Sequence, residues 1–117
     1  MPMFVTIGYG DEAGYNRTPP EIRDAAHAAD AEQQKRGAII GMAKAPTQVR
    51  NTEAKGVETA TGAFMSAALP VAGFAVIEAA DLAEAIDIAS KAPCAVCHGV
   101  VEVWPLDIPG AGQAGSG

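Results

Sequence analysis

The chain has 117 residues, 49% of them hydrophobic but only 5% aromatic, and carries 14 acidic against 8 basic side chains for a net charge of −6. That length suits one domain with a modest core, and an acidic balance with no Lys/Arg cluster excludes a nucleic-acid footprint. No apolar run approaches the roughly 20 residues that span a bilayer, and the opening residues lack the basic-then-apolar order of a secretory leader. The expectation is therefore a cytoplasmic protein with no membrane and no nucleic-acid partner, acting on a small molecule or another protein.

Residues 3–9, MFVTIGY, read as a strand with two apolar faces, which suits a central position. GDEAGYNR then reads as a polar, glycine-rich loop. Thr18-Pro-Pro-Glu21 opens a helix, with Thr18 as cap, Pro19 in the first turn and Glu21 completing a capping box. That helix should reach Arg36 and stop at Gly37, and its small face, Ala25, Ala26 and Ala29 with Ile22, should lie on strands.

Residues 38–42, AIIGM, form a second strand, and TQVRN and VETAT flank a turn at Glu53–Gly56 as a hairpin. Residues 63–70 follow neither period. Residues 71–79 form a buried strand in which Gly73 marks a bulge or a close approach. Asp81 and Glu84 repeat the capping box, and Leu82, Ala85, Ile86 and Ala89 fall on one face of a second helix that Pro93 ends. GVVEVWP is the last strand, and a flexible tail begins at residue 107 and closes in GAGQAGSG.

The order β-α-β, hairpin, β-α-β predicts an α+β fold of the ferredoxin-like split βαβ type with an added hairpin. Two helices cover one sheet face and no third is available for the other, so a second copy of the chain is its natural cover.

The words at the ends of these elements resemble the YCII-related family, in particular its DGPF branch: YGDEA after the first strand, TGAF before the fourth, AGFAVIEAADLAEAIDIASKAP, and the closing VEVWP, over residues 3–106. The resemblance implies a dimeric α/β-barrel of two ferredoxin-like sheets packed face to face, with 1–106 as its domain. It also implies, for some members, an acid–base pair of a first-helix histidine and an aspartate. His27 lies where such a histidine would be. The branch's namesake aspartate, however, is Thr61 here and its proline is Ala63. A hydroxyl cannot orient and charge-compensate an imidazole as a carboxylate does.

The candidate site residues follow from this. His27 and Asp30 sit three apart on one helix and can share a face as a substituted acid–base pair; the alternative is two polar residues on its solvated side. Tyr9, Asp11 and Glu12 lie at the end of the first strand, where Tyr9 and Asp11 can contact a ligand. Met42, Phe64, Met65 and Phe74 are core by default, and would line any pocket between the first helix and the sheet. Gly8-Tyr-Gly10-Asp-Glu-Ala13 imitates a dinucleotide fingerprint, but no helix starts at once to receive a pyrophosphate.

Cys94-Ala-Val-Cys97-His98 spells the c-type haem attachment pattern. Haem attachment is unexpected in a cytoplasmic chain, zinc needs about four ligands, and a redox pair belongs at a helix N-terminus, whereas this one follows a helix end and Pro93. The cysteines are read as small fillers of a loop, with a redox or metal role a third possibility, and neither cofactor nor metal is expected. Two functions stay open: a homodimeric small-molecule-binding or non-catalytic domain, and an acid–base enzyme of lyase or isomerase type using His27 with an acid from Asp30, Asp11 or Glu12.

Overall fold

The structure, a computed structural model, describes residues 1–109. Most of the expected tail, residues 110–117, lies outside the described residues.

Four strands form one antiparallel sheet: β1 (Met3–Tyr9), β2 (Ile39–Met42), β5 (Val71–Glu78) and β6 (Val100–Pro105), in the order β2-β5-β1-β6. β1 is central, as its two apolar faces predict. β5 stands between β1 and β2, so the first helical crossover skips one strand position. β3 (Thr47–Arg50) and β4 (Glu58–Thr61) pair only with each other, Thr47 opposite Thr61 and Arg50 opposite Glu58. Their connection is a 3₁₀ turn at Thr52–Ala54 in which Glu53 and Ala54 take left-handed φ of 54° and 61°.

The helices are α1 (Glu12–Asn16), α2 (Pro20–Lys35), α3 (Leu82–Ser90) and α4 (Pro93–Val96). They cover the sheet face to which Phe4, Thr6, Ala75, Ile77 and Val103 point, where Phe4, Ile77, Ala79 and Ala85 form the buried cluster. Full burial of a side chain such as Phe4 or Ile77 contributes about 1.5–3 kcal/mol. The rest of the core is mostly alanine (Ala26, Ala79, Ala85, Ala89), which lets helices lie close to strands. The four-stranded sheet of one chain is open and not a closed barrel.

Several local expectations change. The segment after β1 contains a helix, α1, because Asp11 caps it by accepting from the Gly14 amide at 2.8 Å. Thr18 does not cap α2: the helix begins at Pro20 with Pro19 as its N-cap residue, so Thr18 stands one position too early and no capping box with Glu21 forms. Its buried hydroxyl donates instead to the Gly14 carbonyl at 2.8 Å, tying α1 to the start of α2.

α2 buries Ala26 but leaves Ala25 and Ile22 exposed. On α3 the buried stripe is Ala85 and Ala89 with Ile88 half-buried, while Leu82 and Ile86 of the expected face are exposed. The inward stripe of each helix is built mainly on alanine, Ala26 and Ala29 in α2 and Ala85 and Ala89 in α3. Asp81 caps α3 as expected, accepting from the Glu84 amide at 2.9 Å, while Glu84 reaches back one residue past the cap and accepts from the Ala80 amide at 2.8 Å.

Gly73 lies where the bulge expectation put it. Gly8 pairs with Gly73 and Tyr9 with Val71, leaving Ala72 unmatched against β1. A Cβ at Gly73 would sit 2.6 Å from the Gly41 carbonyl oxygen of β2.

Candidate functional site

The second face of the sheet carries Val5, Ile7 and Tyr9 of β1, Phe74 and Val76 of β5, and Glu102 and Trp104 of β6, by the alternation of paired residues. No helix covers it. Ile39, Phe74, Val100 and Trp104 remain 71%, 45%, 55% and 53% exposed there. The β3–β4 hairpin and the segment after it stand beside this face, and between them lies a groove of about 840 Å³.

Tyr9, Phe64, Met65 and Phe74 line the groove, with Lys44 and Arg50 on the hairpin side. Three of the expected ligand residues, Tyr9, Phe64 and Phe74, thus come together, on the sheet face opposite to the helices. Phe64 and Phe74 are not core residues: Phe64 is 80% exposed because residues 63–70 form no element that would bury it. Met42, at the end of the edge strand β2, is 91% exposed and does not line the groove.

Tyr9 is the groove's polar anchor. Its hydroxyl donates to Glu102 Oε1 at 2.8 Å and lies 3.8 Å from Met65 Sδ. The hydrogen bond to Glu102 raises the Tyr9 pKa above 10.0, with burial and the carboxylate charge adding to it. Trp104 Nε1 donates to the same Glu102 oxygen at 3.3 Å. Glu102, two positions before Trp104 on one face of β6, was missed in the sequence; the alternation of GVVEVWP against β1 is the signal that places it beside Tyr9. On the hairpin, Arg50 donates to Gln48 Oε1 at 3.0 Å and its guanidinium carbon lies 5.7 Å from the Phe64 ring centre.

His27 and Asp30 occupy α2, away from the groove. His27 is exposed, and its Nε2 meets the Tyr15 hydroxyl at 2.7 Å. Arg23 lies over the same Tyr15 ring, 4.9 Å from its centre. Asp30 instead lines a small crevice between α2, the sheet and the end of α3, beside Thr6, Ile40 and Lys91. Burial raises the Asp30 pKa above 3.8, and the His27 charge opposes that rise. The hydrogen-bond partner of His27 is thus a phenol from α1, a contact invisible while that segment is read as a loop. Asp11 is occupied in capping α1, and Glu12 is in that helix's first turn.

Cys94-Ala-Val-Cys97-His98 is a packing element. Pro93 opens the four-residue helix α4 rather than only ending α3, so Cys94 lies in a first turn and not behind a helix end. A Cβ at Gly8 would meet Cys94 Sγ at 2.8 Å, and one at Gly14 would meet the Cys97 carbonyl oxygen at 2.6 Å. One at Gly99 would strike the carbonyl oxygen of Tyr9. Three glycines thus open the space that this loop fills. Both thiols are free, and burial raises the Cys94 pKa above 9.0, with Cys97 and Asp30 adding to the rise. Among the described residues no group of three or more His, Cys, Asp or Glu side chains could hold a metal ion. Nor is any described helix long and apolar enough to cross a membrane.

The family model of the YCII-related domain matches residues 3–107, and the chain belongs to that family. A search of curated proteins gives no match.

Proposed function

We propose that this YCII-related domain is a homodimeric small-molecule-binding protein of ferredoxin-like topology. In this reading two copies set their uncovered sheet faces together in a barrel-like dimer, and the groove beside Tyr9 becomes the wall of a ligand pocket. The observation that carries it is the groove itself: aromatic and thioether walls around one buried, hydrogen-bonded phenol, at a volume typical of small-molecule sites.

Dimerisation is supported by the apolar side chains left on that face. The chain's dimensions of 52 × 41 × 21 Å and radius of gyration of 16.5 Å support it too, because a compact domain of about 100 residues has a radius near 13 Å. A cytoplasmic location belongs to the same proposal, in keeping with two free thiols. The alternative, an acid–base enzyme built on His27, rests on the 2.7 Å contact with Tyr15. It lacks a carboxylate hydrogen-bonded to the ring, since Asp30 lies in a separate crevice.

A ligand-observed NMR screen of small aromatic and keto compounds tests the reading, run on the wild type and on Phe64→Ala, Phe74→Ala and His27→Ala. Hits that weaken in the two phenylalanine variants and persist in His27→Ala are the expected result. Hits that depend on His27 and ignore Phe64 would move the site to α2 and favour the enzyme.

A further inference from the structure

The charges around the groove run against those of the chain. The sequence has 14 acidic and 8 basic residues, yet the groove is lined by Lys44 and Arg50 and by no Asp or Glu. Neither cation forms an ion pair among the described residues. Glu58 is the cross-strand partner of Arg50, but the guanidinium turns to Gln48 and lies over Phe64. The one carboxylate joined to the groove by a hydrogen bond, Glu102, is held by Tyr9 and Trp104.

From this arrangement we infer that the groove selects a small organic anion: a carboxylate on an aromatic or similarly apolar body. The body lies against Phe64, Phe74 and Met65, and the carboxylate meets Arg50, with Lys44 adding charge. Arg50 is suited to the task because its guanidinium is a planar fork that lies beside Gln48 and over the Phe64 ring. Its remaining N–H groups are left for a two-point contact with a carboxylate. A cation on the same body would face two positive charges, and a neutral one would leave them unpaired. This inference rests on the groove being a ligand site, as proposed above, and adds the class of ligand.

The test uses two isosteric probes, 2-naphthoate and 2-naphthamide, titrated into the intact protein and followed by amide chemical shifts of residues 62–74. The carboxylate is expected to bind about tenfold tighter than the amide, the worth of one charge-assisted contact. That preference should shrink at high ionic strength, because Lys44 and Arg50 are exposed. A Lys44→Gln/Arg50→Gln double variant should abolish the preference and keep naphthamide binding, which also reports that the groove is still folded. Equal affinity of the wild type for both probes would overturn anion selection while leaving the ligand site standing. Absence of shifts with either probe would overturn both.

Discussion

Replacing Gly73 by alanine separates two glycines that look alike in the sequence. A Cβ at Gly73 would lie 2.6 Å from the Gly41 carbonyl oxygen and 3.5 Å from Met42 Cα, both backbone atoms of β2. Carbon–oxygen contacts between strands close to about 3.3 Å, so β2 must move by most of an ångström, with no side chain to rotate aside. Overpacking of this kind costs about 1–3 kcal/mol, and the restricted unfolded chain returns about 0.4–1 kcal/mol. The net expectation is a loss of about 1–2 kcal/mol, or a fall in Tm of roughly 5–15 °C at this chain length. Gly41→Ala is the control: no atom lies within 4 Å of its Cβ, and its φ is not left-handed. It should be neutral or up to about 1 kcal/mol more stable. Far-UV circular dichroism melts, with urea titrations at one fixed protein concentration, give both numbers. Equal stability of the two variants would refute the close approach of β2 and β5 at Gly73.

Three further outcomes are expected. Trp104 is 53% exposed on the uncovered sheet face. Burying the remainder of its ring, about 120 Å², in a dimer contributes about 3 kcal/mol per copy, counted twice at a twofold contact and reduced by association costs. Trp104→Glu should therefore raise the dimer dissociation constant at least about 100-fold in sedimentation velocity, and a wild type that stays monomeric would sink the dimer proposal. In a Tyr15→Phe background, ultraviolet titration should show Tyr9 ionising above 10.0, and Glu102→Gln should move that transition down; an unmoved transition would contradict the 2.8 Å contact. Asp30 has a folded pKa raised above 3.8, so below that value Asp and Asn are equivalent. As pH rises through the folded pKa the wild type then loses stability by leaving a charge in the crevice. Asp30→Asn should gain in Tm over the wild type across that window and hold the gain at neutral pH; a loss instead would mean that the His27 charge outweighs burial.

Much of the fold was legible because its signals are local. MFVTIGY alternates two apolar faces and becomes the central strand, Asp81 caps α3, and the hairpin follows from two short β-rich runs around a turn. Each depends on residues within one short stretch of chain, 15 residues at most for the hairpin, where backbone geometry and side-chain reach are fixed largely by the sequence itself. Errors came where a local signal had a competitor. Thr18 has the chemistry of a cap, but α2 starts one residue later and its hydroxyl goes to the Gly14 carbonyl. Leu82 and Ile86 had helical spacing, but the smaller Ala85 and Ala89 allow a closer approach and won the sheet-facing side.

The site was legible only as a set of residue types. The chemistry of Tyr9, Phe64 and Phe74 suits a ligand site, but the sequence reading puts Phe64 and Phe74 in a pocket between the first helix and the sheet and Tyr9 at the end of the first strand. Their place on the opposite face follows from where residues 43–70 run once the strand order β2-β5-β1-β6 is set. Pairings over 60 to 100 residues, such as Thr6 with Ala75 and with Val103, set that order and register. One step of register would turn every side chain of a strand to the other face. The sequence by itself therefore determined the six strands, the two longer helices, the Asp81 cap and the kind of side chain available to a ligand. Tertiary structure alone decided which face those side chains share, that Tyr9 meets Glu102 and His27 meets Tyr15, and that the cations of the hairpin border an apolar groove, because such contacts depend on how separate strands and helices pair and pack and not on spacing within any one of them.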